Sequence, residues 1–162
     1  MEINWIALLL AALSTLVVGF IWYNPKVFGA IWMKETGIKM EGGKPNGSEM
    51  AKLLGISLIY AFMISIILQF NVIHQFGAFS MTGGDILHAK PSYNAFMADY
   101  IDAFRTFKHG AFHGFLVGLL LALPMIGTNS LYEKRSFKYV LVTGGYWIVC
   151  FTIMGGIICS MK

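Results

Sequence analysis

Charge is scarce in this chain: Asp, Glu, Lys and Arg together make up 12% of the residues, against 57% hydrophobic. With a mean hydropathy of +0.67, that composition excludes a water-soluble globular domain. Cysteine is scarce too. Cys150 and Cys159 both fall in the last apolar run, on opposite sides of a helix and about 13 Å apart along it, so no disulfide links them and they read as small buried apolar residues. Catalytic signatures are missing. There is no G-x-S-x-G, C-x-x-C, H-E-x-x-H or Walker loop, and Gly42-Gly43 and Gly83-Gly84 are isolated pairs rather than a phosphate cradle. A cationic leader is missing as well. Glu2 stands where its basic region would be and no A-x-A site follows, so the first apolar run is expected to remain in the mature protein.

What is present is a series of apolar runs of bilayer length. A hydrocarbon core of about 30 Å takes about 20 helical residues, and four stretches meet that need: residues 4–23, 50–73, 109–128 and 137–160. Trp5 and Trp22-Tyr23 bracket the first as an aromatic belt would, and Pro25 closes it. Lys26 to Trp32 reads as a short amphipathic segment on the headgroups, and Gly37 to Ser48 as a flexible loop. In the second span, Ser57, Ser65 and Gln69 are candidates for hydrogen bonds across helices. In the second loop, Phe96, Tyr100, Phe104 and Phe107 recur at helical spacing after Ser92, which predicts an amphipathic helix over 92–108 leading into the third span. The fold class is therefore all-α: a single membrane domain over 1–162, built as a four-helix bundle with an amphipathic helix before its third span.

The third span carries the most information. Gly110, Gly114, Gly118 and Ala122 recur every four residues, a ladder that lets another backbone come close, and Pro124 predicts a kink. His109 and His113 are one turn apart and flank that ladder. If the helix starts early, Asp102, Thr106, His109 and His113 form one polar stripe. Ionisable groups at membrane depth are costly, so a site is expected there for a proton, a small ligand or an ion. Two imidazoles are a workable half-site for zinc or copper. His74 or His88 from the second loop, or a second subunit, would have to complete it. The cofactor is left open between a transition metal, haem iron and none. The bland alternative is that both histidines bond neighbouring hydroxyls and carbonyls.

A second candidate group lies at the other interface. Trp22 and Tyr23, with Phe28 and Trp32, gather near Asn129 and Glu133, which stand one turn apart. Belt packing and an interfacial charge cluster explain these residues; a headgroup or aromatic-ligand site is the functional alternative.

The motifs at the ends of the chain add a resemblance. Asn4-Trp5, Gly19, Trp22-Tyr23, Pro25, Phe28-Gly29 and Trp32 are followed by His109-Gly110, Gly114, Asn129-Ser130-Leu131-Tyr132-Glu133, Ser136 and Gly145-Tyr146-Trp147. This ensemble resembles the small bacterial membrane proteins of the "domain of unknown function 1761" family. It covers spans one, three and four and leaves out the part from His74 to Phe107. The resemblance implies four spans in a bacterial inner membrane and brings no activity with it.

Partners follow from composition. The bilayer is one, and a second copy is expected on the glycine faces. The net charge of +4 reports orientation and lipid headgroups rather than nucleic acid. Function is read as ligand binding or transport by a homo-oligomer, with a redox protein or enzyme and a purely structural subunit as alternatives. Lys26, Lys34, Lys39, Lys44, Lys52, Lys134, Arg135 and Lys138 fall on one side, and Lys90, Arg105, Lys108 and Lys162 on the other. The eight-to-four asymmetry predicts both termini outside. A reporter active only in the cytoplasm, fused after Lys162, should stay silent; a strong signal would reverse the orientation.

Overall fold

The computed structural model describes residues 2–38 and 46–162. Its elements are α1 (Trp5–Trp22), a π-helical turn (Pro25–Gly29), α2 (Ala30–Thr36), α3 (Gly47–Val72), α4 (Gln75–Ser80), α5 (Pro91–Tyr100), α6 (Phe107–Val117), a π-helical segment (Gly118–Ala122), α7 (Leu123–Tyr132) and α8 (Phe137–Ser160). No strand occurs among the described residues. From α6 to α7 the chain is one continuous helix, Phe107–Tyr132, so four helices are long and apolar enough to cross a membrane. The protein is a helical membrane bundle. Most of the expected Gly37–Ser48 loop, including Lys39, Gly42-Gly43 and Lys44, lies outside the described residues.

Each spanning helix starts on a side chain that takes up an orphan N–H, because few partners for it remain once the chain leaves water. Asn4 accepts from the Ala7 N–H at 3.0 Å, Thr106 from His109 at 3.3 Å and Ser136 from Tyr139 at 3.1 Å. Asn46 and Glu49 form a reciprocal capping box. Pro124 has the effect its chemistry requires. It lacks an N–H and its ring crowds the carbonyl four residues back, and the helix widens into π geometry over Gly118–Ala122, just before it.

At the centre is α8: 44% of its apolar window is buried, against 28% or less for the other three spans. Cys150, Met154, Ile158 and Cys159 lie inside it with Leu8, Leu68 and Val72, and both cysteines are free. The glycine ladder seats on this helix. A Cβ on Gly110 would run into the Gly155 carbonyl, and one on Gly114 into the Phe151 carbonyl. The reverse holds too, since a Cβ on Gly155 would strike the Gly110 carbonyl. The ladder is thus a seam between two helices of one chain, and the glycine faces on which a second copy was expected are occupied internally.

Two further expectations are corrected. Ser65 and Gln69 are buried, yet they bond their own helix, at the Phe62 carbonyl (2.7 Å) and the Ile66 carbonyl (3.0 Å). A carbonyl one turn back is always within reach of such side chains. The amphipathic helix is also shorter than 92–108. It starts with Pro91 at its first turn, a position suited to a residue without an N–H, and it ends at Tyr100. Phe104 then takes a left-handed φ of +62° and Thr106 an extended one, so α6 begins as a separate helix. The break lets Arg105 turn inward, where it donates to the Cys159 carbonyl at 2.9 Å and the Met161 carbonyl at 2.8 Å, at the end of α8.

The interface contacts agree with an even number of spans. Asn4 donates to the Lys162 carbonyl at 3.2 Å, and Lys162 pairs with Asp102 at 2.7 Å, so the termini and second loop share a side. On the other side, α2 folds against α8, Ser136 donates to Glu35, and Arg135 reaches the Thr36 carbonyl at 3.3 Å. The seam makes a sharp prediction. Gly114→Leu should cost about 3 kcal/mol through overpacking and lower the melting temperature of the purified protein. Gly55→Leu, in α3, meets only open space and should melt like the wild type. Equal melting of both variants with wild type would place the ladder toward lipid.

Candidate functional site

Where α3 ends and α6 begins, three imidazoles meet. α3 stops at Val72, and the chain turns through Ile73 so that His74 stands just beyond the end of that spanning helix. His109 and His113 project from the first turns of α6, each one position before a seam glycine. The seam turns those glycines toward α8, which leaves the neighbouring histidines at the edge facing α3.

The triad is compact. Nε2 of His109 lies 2.9 Å from Nε2 of His74, a hydrogen bond in which one ring carries the proton and the other accepts it. Ring centroids are 4.9 Å apart for His74–His109, 4.8 Å for His74–His113 and 4.5 Å for His109–His113. One nitrogen from each ring lies within 4.8 Å of one from each of the others. His74 is exposed and the other two are half-buried. Phe104 stacks on His109 at 5.0 Å and meets His74 edge-on at 6.4 Å; Phe112 lies edge-on to His113 at 5.6 Å.

Nitrogens this close suit a small ion. A tetrahedral metal with Zn–N bonds of about 2.0–2.1 Å holds its ligands about 3.4 Å apart, within the range this cluster already has. To ligate through Nε2, the ring that now carries the proton there takes its other tautomer. A porphyrin sandwiched between two of these rings has no such fit, because the rings lie 4.5–4.9 Å apart, centroid to centroid, and leave no slot between any pair.

The other candidates separate from this group. Asp102 was expected on one stripe with the histidines. The chain breaks between it and Thr106, and the carboxylate pairs with Lys162 instead. Thr106 does stand beside the triad, as the cap whose oxygen accepts the His109 N–H. His88 stays apart, paired with Asp85 at 2.8 Å in the second loop. At the opposite interface the expected cluster divides. Trp22 lies tilted against Phe28, with ring centroids 4.4 Å apart, and donates to the Val142 carbonyl at 3.0 Å, while Tyr23 lies against Trp32 and Tyr146. Glu133 pairs with Arg135 at 3.4 Å, and the Asn129 carbonyl accepts the Glu133 N–H.

Of the two loop histidines expected to complete the site, His74 is the one that joins His109 and His113. One signal pointed to it: the end of the second span and the start of the third must lie at the same interface, so His74 and His109 share a depth. Glu35 and Thr36, which join the first loop to the third, had no signal in the sequence.

Phe104 is a strained residue lying on the site. A left-handed backbone costs a residue with a side chain about 1–2 kcal/mol, and here it lays an aromatic ring over His109. Phe104→Gly should therefore keep or raise the melting temperature while His109 reacts faster with diethyl pyrocarbonate. Unchanged His109 reactivity would mean that the ring does not cover it.

The comparisons come to a single positive finding. The family model described as "Protein of unknown function (DUF1761)" matches residues 6–159, and so takes in the second loop that the motif resemblance left out. No curated protein and no solved structure matches the chain.

Proposed function

The chain belongs to the DUF1761 family, and from its own geometry we propose that it is a small membrane protein that binds a transition-metal ion through His74, His109 and His113. The observation carrying this reading is the convergence of three imidazole nitrogens within 4.8 Å at one end of the bundle. Imidazole ligands suit zinc, copper, nickel or iron, and three of them leave a fourth position open to water or a ligand. The carboxylate that would make a mixed iron site is held away by Lys162.

Binding is favoured over conduction. Val117 lies one turn below His113 and Leu121 one turn further, so an ion moving inward meets no further ligand on that face. We place the triad on the outer face of a bacterial inner membrane, since it shares the side of both termini and the Lys/Arg asymmetry puts that side outside. A second reading, a histidine pair that shares a proton, draws on the 2.9 Å contact between His74 and His109.

Full-length protein, purified and stripped with chelator, should bind one equivalent of Co2+ with the visible absorption of a tetrahedral nitrogen site. His74→Ala, His109→Ala and His113→Ala should each weaken binding by about 100-fold or more, because second-shell losses alone reach that size. His88→Ala should bind as wild type. If the wild type shows no stoichiometric cobalt spectrum, or His74→Ala retains full affinity, the metal reading fails.

A further inference from the structure

An apolar groove begins one helical turn from the histidine triad. Along α3, Met63, Ile67 and Asn71 line it at successive turns, and His74 follows three residues after Asn71. Along the facing helix, Val117 and Leu121 line it, directly below His113. Phe151 of α8 helps form the floor. The groove holds about 360 Å³, within the size range of small-molecule sites. Asn71 is the one polar residue among those lining it.

Its dimensions match one leaflet. From Met63 to Asn71, its lining residues on α3, the helix advances about 12 Å, a little under half of a hydrocarbon core of about 30 Å. Met63 and Ile67 are exposed, so the groove opens sideways to the acyl chains of the bilayer. Leu121 belongs to the π-helical segment, and such widened turns recur at functional sites. One end is therefore a bare, membrane-deep apolar trough, and the other is a group of three imidazole nitrogens.

We propose that this site takes a single-chain anionic amphiphile, a fatty-acid-like molecule, with its acyl chain in the groove and its headgroup oxygen on the ion held by the triad. The proposal rests on the metal reading for its polar end and on the groove for its apolar end. A single trough accommodates one chain, and the open position of a three-histidine ion accepts an anionic oxygen.

Two measurements separate the ends. In the first, dodecanoate is added to the cobalt-loaded full-length protein. The cobalt absorption should shift, with half-saturation at least tenfold below that of acetate. Val117→Trp fills the groove, as does Ile67→Trp, whose side chain faces lipid and whose folding is less exposed to the change. Both should weaken the dodecanoate response at least tenfold and leave cobalt affinity unchanged. Acetate acting as well as dodecanoate, or unchanged responses in both variants, would overturn the proposal while leaving the metal site standing.

In the second measurement, a photoreactive fatty acid is crosslinked to the metal-free protein in vesicles. Label should concentrate on residues 63–71 and 117–121 and be displaced by dodecanoate but not by dodecyltrimethylammonium. Label spread evenly over the lipid-facing surfaces of α1 and α3 would also overturn the proposal. Concentrated, displaceable label from a protein that yields no cobalt spectrum would support the groove and remove the metal.

Discussion

The contact between the backbones of α6 and α8 is the constraint on which the rest of the bundle depends. Lipid supplies no hydrophobic drive to bring two apolar helices together, so close van der Waals approach must do so. Gly110 and Gly114 on one side and Gly155 on the other allow it, because each faces a carbonyl where a methyl group would not fit. That approach fixes the rotation of α6 about its own axis. Since His109 and His113 each precede a seam glycine, the same contact that builds the bundle also aims the two imidazoles away from α8 and toward the end of α3.

The second loop completes what the seam begins. Arg105 bonds two carbonyls at the end of α8, and Gln75 bonds the carbonyls of Tyr100 and Ala103 at 2.7 and 2.9 Å. These links hold the loop against the bundle and let Phe104 keep an unfavourable backbone conformation. They also account for the loss of Asp102 from the site. A continuous helix would have carried it toward the histidines, but the turn that frees Arg105 swings it toward Lys162.

The two interfaces have different characters. At the end opposite the termini, aromatic rings and backbone carbonyls satisfy one another: Trp22 on Val142, Tyr146 on the Thr15 carbonyl, and Arg135 on Thr36. These polar groups are taken up by backbone carbonyls of the same chain, while the buried Thr143 hydroxyl beside Val142 is left without a partner among the described residues. At the other end, three nitrogen-bearing rings have mainly one another and a pair of phenylalanines, with the apolar groove beneath them. The proposed metal site draws on that end, where three imidazole nitrogens lie within 4.8 Å of one another.

The sequence by itself determined the membrane class, the four spans, the shared side of the termini and second loop, and the glycine seam. All of these follow from properties local to one helix: run length, the four-residue repeat, and the polarity of flanking residues. It also placed His109 and His113 on one face, since i and i+4 are neighbours on any helix. Only the tertiary structure decided that the seam faces α8 of the same chain, because a small-residue stripe says that something approaches and not what. Only the tertiary structure brought His74 into the triad and took Asp102 out of it. The first contact joins residues 35 apart in the chain, and the second depends on a single left-handed turn at Phe104, a residue whose type favours neither that conformation nor a helix break. Pairings between helix ends are set by how whole helices pack, and no periodicity within one helix encodes them.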